Sequence, residues 1–118
     1  MGIYKAGKPF TLLQEGAIDS YTTLLIHSNT TDDGSTTFTD SSATGHTITN
    51  NNVTHETGLA KFGTSSMHFN GTTDYLTVPS NAGHNFTNSD SYTVDFWMYP
   101  TATSGNPTIY SGWGCGDS

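Results

Sequence analysis

The side chains able to move a proton or hold a metal are few: Glu15, Glu56, eight aspartates, and His27, His46, His55, His68 and His84. A glycosidase needs two carboxylates on one strand face, at i and i+4, so that both reach the same cleft. No Glu-x-Asp-x-x-Glu run occurs, and Asp90 and Asp95, five apart, fall on opposite faces of a regular strand. The histidines show no HxH or HxxxH spacing, so no local pair is set up to share a metal. Cys115 is the one cysteine, which excludes an internal disulfide and a CxxC site. Neither a nucleophile elbow nor a phosphate-cradling glycine loop is present. The expectation is a protein that is not an enzyme.

The aromatic side chains offer a different chemistry. Rings stack on the apolar faces of sugars as they do on other ligands. Trp97, Tyr99, Tyr110 and Trp113 form the candidate glycan-binding group, with Trp97 and Tyr99 on one strand face. The competing reading is that these rings fill a core or a subunit contact. Partners of other kinds are excluded by charge. The net charge is −7, with Lys5, Lys8 and Lys61 the only cations besides histidine. Such a chain cannot neutralise a phosphate backbone or an anionic bilayer, so neither nucleic acid nor membrane is expected as a partner.

The elements that must position these groups are strands. Of the 118 residues, 11% are charged and 32% are hydrophobic, yet 12% are aromatic, which argues against a disordered polar linker. One domain is the expectation for this length. No long stretch carries apolar residues at helical spacing. Strands are expected around Leu24 to Ile26, at Phe38, at Thr47 to Thr49 and at Val53. "SSMHF" and "DYLTV" read as a hairpin about the Asn70–Thr73 turn, with Met67 and Phe69 on one face. In "SYTVDFWMYP", Tyr92, Val94, Phe96 and Met98 alternate with Thr93, Asp95, Trp97 and Tyr99, and Pro100 ends the run. Short strands every 8–12 residues or so, with no helical crossovers, predict an antiparallel β-sandwich or barrel.

Residues 1–20 differ in character: they hold two of the three lysines, and Tyr4, Phe10, Leu12 and Leu13, which a free tail has little reason to carry. They are expected to form an extended N-terminal arm for attachment, dispensable for folding of a β domain over residues 21–118. The opening residues lack the apolar core of a signal peptide, and Ala6 stands where myristoylation needs Ser or Thr. A chain made without export, yet extracellular in composition, fits a virion protein.

Four blocks in order, Leu24–His27, Asp33–His46, Lys61–Pro79 and Tyr92–Pro100, resemble a concanavalin A-like, laminin G-like domain of the kind found in phage virion proteins. The resemblance spans roughly residues 20–112 and departs from the pattern at Ser28-Asn29, where an acidic residue is common. It implies an all-β jelly roll whose usual length exceeds this chain, so an N-terminal portion is expected, completed by further sequence or by another copy. It implies Met67, Phe69, Leu76 and Val78 as core. Laminarinase-type glucanases share the fold, but their paired carboxylates are missing here. Calcium sites in such domains imply Asn29, Asp32, Asp33 and Asp40 as candidate ligands, with turn chemistry at Asp33-Gly34 and Asp40 as the alternative. The function implied is a non-catalytic tail-fibre, appendage or decoration protein. It would assemble as a homo-oligomer, a trimer first, with other virion proteins and host-surface polysaccharide as partners. A secreted microbial carbohydrate-binding or adhesion module is the alternative, placed extracellularly.

Overall fold

The computed structural model describes residues 1–5, 18–79, 89–102 and 108–111. These residues contain no helix, and the strands are short and antiparallel. Seven strands run in chain order: β1 (Gly2–Lys5), β2 (Thr22–Leu25), β3 (Thr49–Asn51), β4 (Thr54–Glu56), β5 (Ser66–His68), β6 (Tyr75–Thr77) and β7 (Tyr92–Asp95). They form a three-stranded sheet, β2-β1-β7, and two two-stranded ladders, β3-β6 and β4-β5.

The first sheet corrects the expectation of a separate arm over its opening residues. β1 is the central strand, with Ile3 opposite Leu24 on one side and Val94 on the other. Ile3 is 0% exposed, and the Ile26 N–H donates to the Met1 carbonyl at 3.1 Å. The physical reason is simple: β2 and β7 both need an inner partner, and "GIYK" offers a β-branched apolar residue at the right register. Residues 6–17, with the proposed attachment residues Phe10, Leu12 and Leu13, lie outside the described residues, while Tyr4 lies in β1.

The expected hairpin is also corrected. β5 and β6 do not pair with each other: β5 pairs with β4 and β6 with β3. The two ladders belong to one long ribbon in which Asn52 and Val53 face the six residues 69–74. The chain turns at Asn52 with φ 61°, and the Asn50 side chain closes that turn, accepting from Val53 N at 2.9 Å and donating to its carbonyl at 2.8 Å. Opposite, Asn70 closes the six-residue loop: its Oδ1 accepts from Thr72 N at 2.8 Å, Thr73 N at 2.9 Å and Asp74 N at 3.2 Å. The Asn-Gly pair is thus a turn within an extruded loop, not a hairpin turn. Phe69 begins that loop and is 46% exposed, not core, because the ladder ends one residue before it. Met67, Leu76 and Val78 do pack against the core, and Phe96 is half-buried.

Ile3, Leu24, Ile26, Phe38 and Val53 form that core, drawn from the sheet, the ribbon and the segment between them. The intervening segment is anchored by Asp40. Its Oδ1 accepts from Leu25 N at 2.9 Å and Ser42 N at 2.8 Å. Its Oδ2 accepts from Ser42 Oγ and His46 N at 2.8 Å and from His46 Nδ1 at 2.7 Å. Ser41 N completes the tie by donating to the Leu25 carbonyl at 2.7 Å. Burial alone pushes the Asp40 carboxyl up. The backbone N–H groups of Leu25, His46 and Ser42, and then the His46 ring, outweigh it and hold the carboxyl well below the usual carboxylate range.

Three outcomes are expected. Asp40→Asn places an amide against several donors in a buried site and should cost about 3–5 kcal/mol in denaturant unfolding. A folded carboxyl held below its ordinary value of 3.8 stabilises above that pH, so stability should fall as the pH drops through it. Asp40→Asn should flatten that acid dependence. Deleting residues 1–5 should remove the cooperative unfolding transition, since the central strand goes with them.

Candidate functional site

Two of the most exposed large rings among the described residues, Phe62 and Trp97, meet where the 61–64 loop approaches the stretch after β7. The loop turns at Gly63, with φ 70°. Asn29 Oδ1 fastens it, accepting from Thr64 N at 3.1 Å and lying 3.0 Å from Thr64 Oγ1. A Cβ on Gly63 would sit 2.7 Å from that Asn29 oxygen, so both the backbone conformation and the close approach favour glycine here. The loop holds Phe62 outward at 67% exposure beside Trp97 at 70%. Their rings meet edge to face, 5.9 Å between centroids at 70°. Lys61 Nζ lies 5.0 Å from the Trp97 ring and 6.0 Å from the Phe62 ring, within cation–π reach of both.

Of the expected glycan-binding residues, Trp97 and Tyr99 are on the surface, Tyr99 at 73% exposure. Tyr110 is half-buried and packs against the core, where burial, with Tyr92 nearby, pushes its hydroxyl pKa up. Trp113 lies outside the described residues. Phe62 and Lys61 carry no motif that marks them as a site in the sequence. A large ring beside a glycine turn is the signal that was available.

Three of the four expected calcium ligands make hydrogen bonds within the fold. Asp40 faces the interior. Asn29 anchors the aromatic loop. Asp33 Oδ1 accepts from Thr57 N at 2.9 Å and Thr57 Oγ1 at 3.0 Å, and these bonds lower its pKa. Asp32 is exposed. Among the described residues, no group of three His, Cys, Asp or Glu side chains could hold a metal ion.

Beside the aromatic loop lies an open groove of about 310 Å³. His27 and Asn29 line it from the stretch after β2; Thr37, Thr39 and Ser41 line it from the segment leading through Asp40. The second stretch is extended with period two: Phe38, Asp40 and Ser42 are buried, whereas Thr37 and Thr39 are exposed and Ser41 half-buried. The inward anchors therefore aim a row of three hydroxyls outward. The buried ring of His55 also lines the groove and stacks on Phe38 at 4.2 Å.

His55 heads a directed chain of hydrogen bonds. The Thr37 carbonyl, 2.9 Å from Nε2, can only accept, so Nε2 carries the hydrogen. Nδ1 of the neutral ring then accepts from Ser28 Oγ at 2.6 Å, and Ser28 Oγ accepts from Ser65 Oγ at 3.0 Å. Ser65 Oγ in turn accepts from Thr30 N at 3.1 Å. A serine on a histidine suggests a nucleophile, but the ring is oriented by a carbonyl. A carbonyl cannot supply the countercharge that a carboxylate gives a buried imidazolium. The chain ties the ends of three loops together.

No protein-family model, curated protein or solved structure matches this chain.

Gly63→Ala should cost about 1–2 kcal/mol from backbone strain alone. In a Trp113→Phe background it should also change the emission of Trp97, while Gly71→Ala, in an open loop, leaves that emission unchanged.

Proposed function

We propose that this chain is a non-catalytic display and binding module. The Phe62–Trp97 pair is the surface that takes a saccharide. The observation that carries the reading is the pair itself: two large rings held edge to face and about two-thirds exposed, one of them on a loop that Asn29 and Gly63 keep in place. A loop without a binding role has little reason to present rings to water at that exposure. Rings so held offer a sugar an apolar face at little conformational cost, because the loop is already ordered.

The setting we propose follows from the resemblance of the sequence to laminin G-like, concanavalin A-like domains of phage virion proteins. The chain would be the jelly roll, or its N-terminal portion, of a tail fibre, appendage or capsid decoration, with host-surface polysaccharide as ligand. The small antiparallel ladders about one core support that architecture. Association with further copies is part of the reading. Trp97, Met98 and Tyr99, just beyond β7, are all exposed, and so apolar a stretch suits burial against another copy. No metal is required by the reading.

The test is retention of the purified chain on a panel of immobilised neutral and acidic polysaccharides. At least one should bind, and Trp97→Ala should weaken binding more than about tenfold without altering the melting temperature. Binding to no member of the panel, or unchanged binding by Trp97→Ala, would overturn the proposal.

A further inference from the structure

We infer that the hydroxyl-lined groove is a second subsite of the same surface, and that its ligand is a neutral saccharide of more than one unit. The inference rests on the saccharide reading of the Phe62–Trp97 pair.

Continuity is the first support. Asn29 lines the groove and, through the same side chain, holds the loop that carries Phe62. The groove and the loop that carries Phe62 thus share one side chain. Size is the second. The open groove, about 310 Å³ in volume, offers contact to one sugar unit with the rest of the polymer outside.

The third support is chemical. None of the side chains lining the groove is a carboxylate, Lys or Arg. Thr37, Thr39 and Ser41 present their hydroxyls from alternate positions of one extended segment, and Phe38, Asp40 and Ser42 fix that segment from the buried side. Hydroxyls both donate and accept, so a row of them matches a polyhydroxylated partner whose own hydroxyls do the same. An acidic polymer would find no Lys or Arg in the groove and would approach a chain of net charge −7. Lys61 is over the rings, not in the groove, and is the one feature that could draw an acidic ligand instead.

Calorimetric titration with neutral β-glucan and mannan oligosaccharides of one to five units, against oligouronates of the same lengths, tests this. Affinity for a neutral series should rise from one unit to two or three and then level off, with little dependence on salt. Thr37→Val and Thr39→Val, near-isosteric and on the surface, should each remove about fivefold of that gain while leaving single-unit binding and the melting temperature unchanged. Trp97→Ala should remove binding at every length. Length-independent binding that ignores both threonine variants would overturn the inference and leave the aromatic site standing. So would a preference for oligouronates that fades with salt and is lost in Lys61→Gln. Failure of every saccharide to bind would overturn both readings.

Discussion

A single buried carboxylate holds this small β structure in register. Asp40 is reached by five donors, and they come from β2, from the turn it starts itself and from His46. Five large apolar residues form the buried core among the described residues, which is little area to offset the entropy of ordering so many loops. Polar anchors compensate by fixing specific pairs of segments. Asp40 fixes the outer segment against β2; Asn29 fixes the aromatic loop; Asn50 and Asn70 fix the two sides of the ribbon where its ladders break. Each is a short side chain that accepts from backbone N–H groups a few residues away or across a gap. That is the structural use of the Asn, Asp, Ser and Thr that dominate the chain.

The same anchors create the surface. Strand periodicity makes inside and outside complementary: with Phe38, Asp40 and Ser42 turned inward, Thr37, Thr39 and Ser41 have nowhere to point but out. The His55 chain works alike. Its ring is stacked on Phe38 and tied to Ser28 and the Thr37 carbonyl, so the groove is backed by a rigid group. The wall of the groove is thus hydroxylated, carries His27 and His55 but no carboxylate, Lys or Arg, and is held by side chains whose own hydrogen bonds are made within the fold.

Much of this was legible in the sequence, for definite physical reasons. Strand content follows from composition and from period-two alternation, which is a local property. Leu24, Ile26, Phe38 and Val53 could be picked out as apolar by type and all four are core, but only Leu24 lies within one of the seven strands, and the strand expected through Tyr99 ends at Asp95. The Asx turn at Asp40 was legible as the alternative to a metal ligand. Partner choice was not. "SSMHF" and "DYLTV" flank an Asn-Gly pair, the strongest local hairpin signal, yet they join different strands because 49–56 presents a better matched edge to both. Phe69 then falls in the extruded loop. β1 was misplaced for a similar reason: four residues carry almost no pattern, and only the need of β2 and β7 for a shared neighbour gives them a place.

The sequence by itself determined an all-β, acidic, charge-poor chain without the spacing of a catalytic or metal motif, because those properties reside in composition and in neighbours along the chain. Tertiary structure alone decided which strands pair, that Phe62 meets Trp97, 35 positions further along the chain, and that Asn29 serves both the loop and the groove. Those contacts depend on long-range closure, whose energetics are shared among many residues and written in no single stretch of them.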